Sequence, residues 1–397
     1  MKVIFLHPDL GIGGAERLVV DAAVALQNKG HTVKMITNHY DSSHCFKETE
    51  HLDITVYSYF PRTIFGQMWA LCAYIRMIIA AFIIAATMDY DVIFSDQVSA
   101  SQVVFRLFFW KPVRLIFYCH HPDLLLTDRK TAAKSAYRLI LDFVEEQTTR
   151  LADVICVNSL YTAEVTKKTF GSLRDRELTV LYPSLNTEFF DKAMESTLTE
   201  IPGTAEHVFS SLNRFEVKKN VILALEAFAE LKSLLPADDY TKCHLVIAGG
   251  YDKRNEENIA YYSQLVKYAQ DLELDAIQIT FMRSPSDQNK ISLLKQSRAI
   301  LYTPDREHFG IVPVEAMYLG RPVIAVNTGG PLETIEHEKT GFLVEQKPQE
   351  FAKCMARLVA DPHLRKVAEI EGPKRVRKLF AFPAFATRLH QIVNNEL

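Results

Sequence analysis

Two glutamates eight positions apart, Glu307 and Glu315, frame the stretch of this 397-residue chain best suited to chemistry: Glu307-His308-Phe309-Gly310-Ile311-Val312-Pro313-Val314-Glu315. Apolar, strand-like residues 299–302 lead into it. Gly310 lets backbone amides approach a ligand, and Pro313 suits the first turn of a helix, where its missing N–H costs nothing. A helix N-terminus presents unpaired amides and the positive end of a dipole, a combination that favours phosphate. The spacing places one carboxylate on the incoming loop and the other inside the helix. By itself E-x7-E fits a solvated loop Glu and a helix Glu as well as a pair that reaches two parts of one ligand.

Other residues of chemical interest stand at the ends of strand-like runs. Arg214 and Lys219, after the run 207–212, form a guanidinium fork and a point charge that suit a diphosphate; a solvated charge cluster has the same composition. His120 follows the run 114–119, a position open to ligand contact and equally common for turn histidines. Gly13 and Gly14 lie between the run 2–6 and a helical pattern through residue 27. They do not complete G-x-G-x-x-G, and no Walker lysine follows, so dinucleotide and nucleoside-triphosphate binding lose their signatures. The glycines 249–250 and 329–330 close two further runs.

The elements that position these residues alternate strand, loop and helix through the whole chain. Short apolar runs at 2–6, 32–37, 91–95, 114–119, 153–158 and 179–184 predict one parallel α/β domain. Runs at 207–212, 244–250, 277–282, 299–302 and 323–326 predict a second, with a polar hinge over 186–203. Residues 348–397 read as helices. Two such domains imply a ligand in the cleft between them. A net charge of −3, from 45 Lys and Arg against 48 Asp and Glu, offers no signature of nucleic-acid binding. The six scattered cysteines form no C-x-x-C pair, which argues against a zinc site and a disulfide framework. Residues 69–88 are long and apolar enough to approach a bilayer span, with Arg76 as the sole charge. A strand pattern resumes at once, so a helix embedded in the membrane interface, with Arg76 snorkelling to its surface, competes with a core helix and a true span.

Taken together, Gly13-Gly14-Ala15-Glu16, His120, Arg214 with Lys219-Asn220, Glu307 with Glu315, and Gly329-Gly330-Pro331-Leu332-Glu333 resemble the retaining glycosyltransferases of the GT-B fold that carry an E-x7-E motif. The longer phrases around them are similar to the mannosyltransferases of dolichol-linked oligosaccharide assembly. The resemblance covers nearly the whole chain. It implies two Rossmann-like domains: an acceptor-binding one at 1–190, a nucleotide-sugar-binding one at 205–375, and a helix at 376–397 crossing back. It further implies GDP-mannose as donor, a dolichyl-diphosphate-linked mannosyl-chitobiose as acceptor, and addition of α-1,3 and α-1,6 mannose in N-glycan precursor synthesis. The expected setting is the cytosolic face of the endoplasmic reticulum membrane, beside other enzymes of the pathway, with no required metal and no nucleic acid. Carried over, Arg214 and Lys219 hold the diphosphate, Glu315 the ribose, and Glu307 lies by the transferred mannose. Phe309, Gly310, Ile311 and Val312 face the phosphates, Gly13 and Gly14 permit close approach, and His120 contacts the sugar. Another GT-B lipid-acceptor enzyme using a UDP-sugar, or a non-catalytic sugar-nucleotide-binding subunit, are the competing readings.

Overall fold

The computed structural model describes residues 1–64, 66–107, 112–125, 132–193, 198–274 and 277–396. The chain divides into two compact units, the first Met1–Ser184 together with Phe382–Leu397, the second Leu185–Ala381. Unit 1 is built from β1 (Lys2–His7), α1 (Gly14–Asn28), β2 (Thr32–Thr37), β3 (Ile54–Val56), α2 (Trp69–Thr87), β4 (Val92–Asp96), α3 (Gln102–Leu107), β5 (Arg114–Cys119), α4 (Ala132–Thr149), β6 (Val154–Val157), α5 (Leu160–Thr169) and β7 (Thr179–Val180). Unit 2 follows with α6 (Thr187–Lys192), β8 (His207–Leu212), α7 (Ile222–Leu234), α8 (Ala237–Tyr240), β9 (Cys243–Gly249), α9 (Glu256–Asp271), β10 (Ile279–Arg283), α10 (Asp287–Gln296), β11 (Ala299–Tyr302), α11 (Ile311–Tyr318), β12 (Val323–Val326), α12 (Pro331–Thr334), β13 (Gly341–Val344), α13 (Pro348–Ala360) and α14 (Pro362–Leu379). A last helix, α15 (Phe382–Asn394), returns to unit 1.

Each unit holds one parallel sheet, ordered β3-β2-β1-β4-β5-β6-β7 in unit 1 and β10-β9-β8-β11-β12-β13 in unit 2. In both, the chain first winds outward in one direction and then returns to wind in the other. The reversal falls between β1 and β4 in unit 1 and between β8 and β11 in unit 2. Loops on either side of such a reversal part, and the crevice at the strands' C-terminal ends is where α/β sheets take ligands.

The central strands are apolar on both faces because helices cover both. In β1, Val3 and Phe5 join the core beneath α1, while Ile4 and Leu6 join the core beneath α2. Phe385, Leu389, Ile392 and Val393 of α15 complete the first of these cores, packed with Val19, Ala23 and Leu26 of α1. Unit 2 has its own core, built around Phe209, Phe228, Leu231, Leu301 and Phe351.

The apolar run 69–88 forms α2, and its position corrects the expectation for Arg76. Met77, Ala80, Ala81 and Ile84 pack in the core with the sheet, and Arg76 lies on this same buried face, 3.8 Å from Asp9 Oδ1. Its guanidinium is thus committed to the protein and does not snorkel. The opposite face is also apolar: Ile75, Ile78, Ile79 and Ile83 are partly exposed and Phe82 is exposed.

Because α15 supplies core side chains to unit 1, Leu389→Ala should lower the stability of the chain by about 2–5 kcal/mol, the usual range for an emptied core leucine. Urea denaturation followed by circular dichroism measures this; a loss below about 0.5 kcal/mol would mean α15 is dispensable to the core.

Candidate active site

In unit 2 the loop after β8 and the loop after β11 stand on opposite sides of the strand-order reversal, and a part-buried ion pair joins them. Lys219 Nζ donates to Glu307 Oε2, and Thr303 Oγ1 donates to the Lys219 carbonyl at 2.7 Å. Burial alone would raise the Glu307 carboxyl; the Lys219 ammonium outweighs it and holds the group below the usual value. Glu307 is therefore an anion beside a cation, arranged where a diphosphate or a developing positive charge could be met. Tyr302, at the end of β11, is buried against Glu307; burial and that carboxylate push its hydroxyl well above its ordinary pKa, so it stays a donor.

Arg214 lies on the same loop as Lys219 but does not share its partner. Its guanidinium pairs with Glu216 at 2.9 Å, and its side chain is 63% exposed. Glu315, inside α11, is buried and accepts from Lys290 Nζ at 2.9 Å. Burial raises its carboxyl, and Lys290 opposes the shift only in part. The E-x7-E pair thus separates into two environments, each with its own lysine.

Glycines make this geometry possible. Gly310 caps α11 at φ +87°, and a Cβ there would also meet the Tyr302 ring at 3.2 Å, so only glycine fits. Pro313 occupies the first turn of α11, as its chemistry favours, and the amides of Ile311 and Val312 begin the helix beside Phe309. Gly330 N donates to the Glu307 carbonyl at 2.7 Å, and side chains at Gly329 or Gly330 would overlap the backbone of residues 306–309. The Gly329-Gly330 pair, which closes the run 323–326, seats the Glu307 loop.

Unit 1 carries a second polar array at its own reversal. His7, Asp96 and His120 follow from three adjacent strands, β1, β4 and β5. Asp96 Oδ1 lies 2.7 Å from His7 Nδ1, and Oδ2 lies 3.0 Å from His120 Nε2. His7 Nε2 lies 3.0 Å from the Asp9 carbonyl oxygen and 3.9 Å from Glu16. Burial alone would raise Asp96, yet the two histidines hold it at about 2; burial alone would lower His7, yet Asp96 and Glu16 raise it to about 10. His120 also packs on Tyr118, ring centres 4.7 Å apart, and its carbonyl accepts from Asn158 Nδ2 at 3.2 Å. It rims a hollow of about 370 Å³ with Tyr74, Gln97, His121 and Glu145. Gly13 and Gly14 differ: the space a side chain would fill at Gly13 is taken by the Glu16 carboxylate, whereas beside Gly14 it is open.

Four partners escape the sequence reading: Lys290, Tyr302, His7 and Asp96. The signal for the last two is their position, since His7 and Asp96 end strands that flank the reversal, though nothing in sequence says those strands are neighbours. Lys290 carries no such signal, because α10 reaches Glu315 only through the folded sheet. Among the described residues no cluster of three or more His, Cys, Asp or Glu is disposed to hold a metal ion.

Comparison with known proteins agrees with this architecture. Residues 200–375 match the family described as Glycosyl transferases group 1, and residues 12–189 match Glycosyltransferase Family 4. Among solved structures, sucrose-phosphate synthase from Thermosynechococcus elongatus superposes with a TM-score of 0.73 at 20% identity, covering 100% of this chain and 99% of that one. HepE of Anabaena in complex with UDP gives 0.71 at 20% identity, with both chains fully covered. These likenesses establish the GT-B fold. The mouse α-1,3/1,6-mannosyltransferase ALG2 is 48% identical over 99% of this chain and 95% of its own length. The enzyme of the same name from Rhizomucor pusillus is 42% identical over 99% and 91%. Similarity of this depth along nearly the entire length establishes that the chain belongs to the ALG2 family of α-1,3/1,6-mannosyltransferases.

Proposed function

We propose that the chain is a retaining mannosyltransferase that moves mannose from GDP-mannose to a dolichyl-diphosphate-linked mannosyl-chitobiose, adding α-1,3 and α-1,6 residues. The observation that carries this reading is the Lys219–Glu307 pair bridging the β8/β11 reversal, with Arg214 on the same loop. Lys219 and Arg214 hold the donor diphosphate and stabilise charge on departing GDP, the electrostatic task with most effect when no metal is required. Glu307 orients the mannose hydroxyls or stabilises positive charge at C1. Glu315 accepts from the ribose, and the amides at the start of α11 face the phosphates.

In front-face transfer the bond from mannose C1 to the β-phosphate oxygen breaks, and its electron pair leaves with GDP. The acceptor hydroxyl oxygen bonds C1 on the same face and gives its proton to the departing phosphate. This course needs no protein nucleophile. It suits Glu307, whose carboxylate is already engaged by Lys219.

The same reading places the enzyme on the cytosolic face of the endoplasmic reticulum membrane, and two helices support it. The outer face of α2 carries only apolar side chains over four turns. On α4, Leu139, Ile140 and Phe143 recur at helical spacing and are 63%, 68% and 64% exposed. Single exposed apolar residues are ordinary, but such a face of adjacent large ones suits a lipid surface.

Incubating the purified protein with GDP-mannose and a short lipid-linked mannosyl-chitobiose should add two hexoses, counted by mass. Turnover with UDP-N-acetylglucosamine and none with GDP-mannose would overturn the donor assignment. Glu307→Gln and Arg214→Ala, folded normally, should each slow transfer by roughly 10²-fold or more, and near wild-type rates for either would remove its role. Replacing both Ile140 and Phe143 with Asp should weaken co-sedimentation with anionic phospholipid vesicles at least about tenfold, since each buried side chain contributes about 1.5–3 kcal/mol. Unchanged vesicle binding would exclude α4 from the membrane contact.

A further inference from the structure

The array at the β1/β4 reversal fixes protons as well as side chains. Asp96 is fully buried and both of its oxygens are in use, one facing His7 Nδ1 at 2.7 Å and the other His120 Nε2 at 3.0 Å. A carboxylate only accepts, so each facing nitrogen must carry a hydrogen. The far nitrogen of His7 faces the Asp9 carbonyl, which also only accepts, so that nitrogen carries a hydrogen too. His7 is therefore a doubly protonated imidazolium held inside the protein, and Asp96 is its counter-ion. The depressed Asp96 and elevated His7 agree with this arithmetic. Glu16, at 3.9 Å, is the other acid near His7.

We propose that Asp96 is a positioning residue that pins His120 as its Nε2–H form, leaving Nδ1 to present a lone pair as a hydrogen-bond acceptor for a sugar hydroxyl. The other supports of His120 restrain its ring without choosing its proton: the Tyr118 ring packs tilted against it, and Asn158 holds its carbonyl. Among the described residues only Asp96 makes the choice, and His7 keeps Asp96 ionised by supplying the compensating positive charge. The assignment rests on His120 meeting a sugar, as in the function above, but the proton placement stands independently of which sugar it is.

The test uses the full chain labelled with ¹⁵N-histidine, with His7→Gln and His120→Gln samples to assign the two rings. Two-bond nitrogen–proton correlation near pH 7.5 should find both nitrogens of His7 protonated and the His120 proton on Nε2. A bare nitrogen on His7, or a His120 proton on Nδ1 alone, overturns the proposal whatever the donor proves to be. In Asp96→Asn the amide cannot accept from both rings, so at least one ring must change its proton placement. Mannose transfer by that variant should fall roughly 10²-fold in kcat with a smaller change in KM. Unchanged proton placement in both rings, or wild-type turnover by a folded Asp96→Asn protein, also overturns it. Should that variant fail to fold, the wild-type spectrum decides alone. Failure of GDP-mannose as donor would leave the spectra untouched, which separates the two readings.

Discussion

Two charges that cannot easily be parted organise unit 2. Lys219 and Glu307 are both largely buried and come from loops on opposite sides of a strand-order reversal. Removing one partner of such a pair leaves the other charged, partly desolvated and without its counter-ion. Neighbouring features answer to this pair. Gly329 and Gly330 are small so that their loop can lie on the backbone of Glu307, Gly310 turns the chain away into α11, and Thr303 ties down the carbonyl of Lys219. A carboxylate and an ammonium are thereby fixed relative to one another before any ligand contributes, and in the proposed function this lessens the reorganisation needed at reaction.

Unit 1 meets the same topological opening with a different solution. Its array is deeper, uses histidines in place of lysine, and sets one carboxylate between two imidazole rings. In the proposed function the contrast matches the chemistry each edge would serve. A diphosphate carries formal charge and calls for ammonium and guanidinium groups, whereas sugar hydroxyls call for oriented acceptors and donors. A ring whose proton is already placed provides that orientation at little entropic expense.

Much of this was legible in the amino-acid sequence. The runs at 32–37, 114–119, 207–212, 299–302 and 323–326 coincide with β2, β5, β8, β11 and β12, because parallel strands covered on both faces read as short, largely apolar runs. β3 and β13 escape that reading: they are short edge strands with part-exposed residues. The Phe-Gly turn and its helix were legible because glycine and proline act through the local backbone. The environment of Arg76 is not legible from composition, because only tertiary packing reveals which face of α2 it occupies. The pairings of Glu315 with Lys290 and of His120 with Asp96 were hidden for the related reason that strand order is not written in chain order.

The return of α15 to unit 1 has a consequence for how the chain comes into being. The core beneath α1 stays open until Phe385, Leu389 and Ile392 emerge, and roughly half the chain is translated between β7 and that moment. At about 5–20 residues per second the ribosome needs on the order of ten to forty seconds to cross this interval. Throughout it the first half of the nascent protein holds an unfinished apolar seam, and the contiguous unit 2 is completed at its end, just ahead of α15. Synthesis order and folding order are thereby inverted, and the amino-terminal half becomes the part with most use for a chaperone.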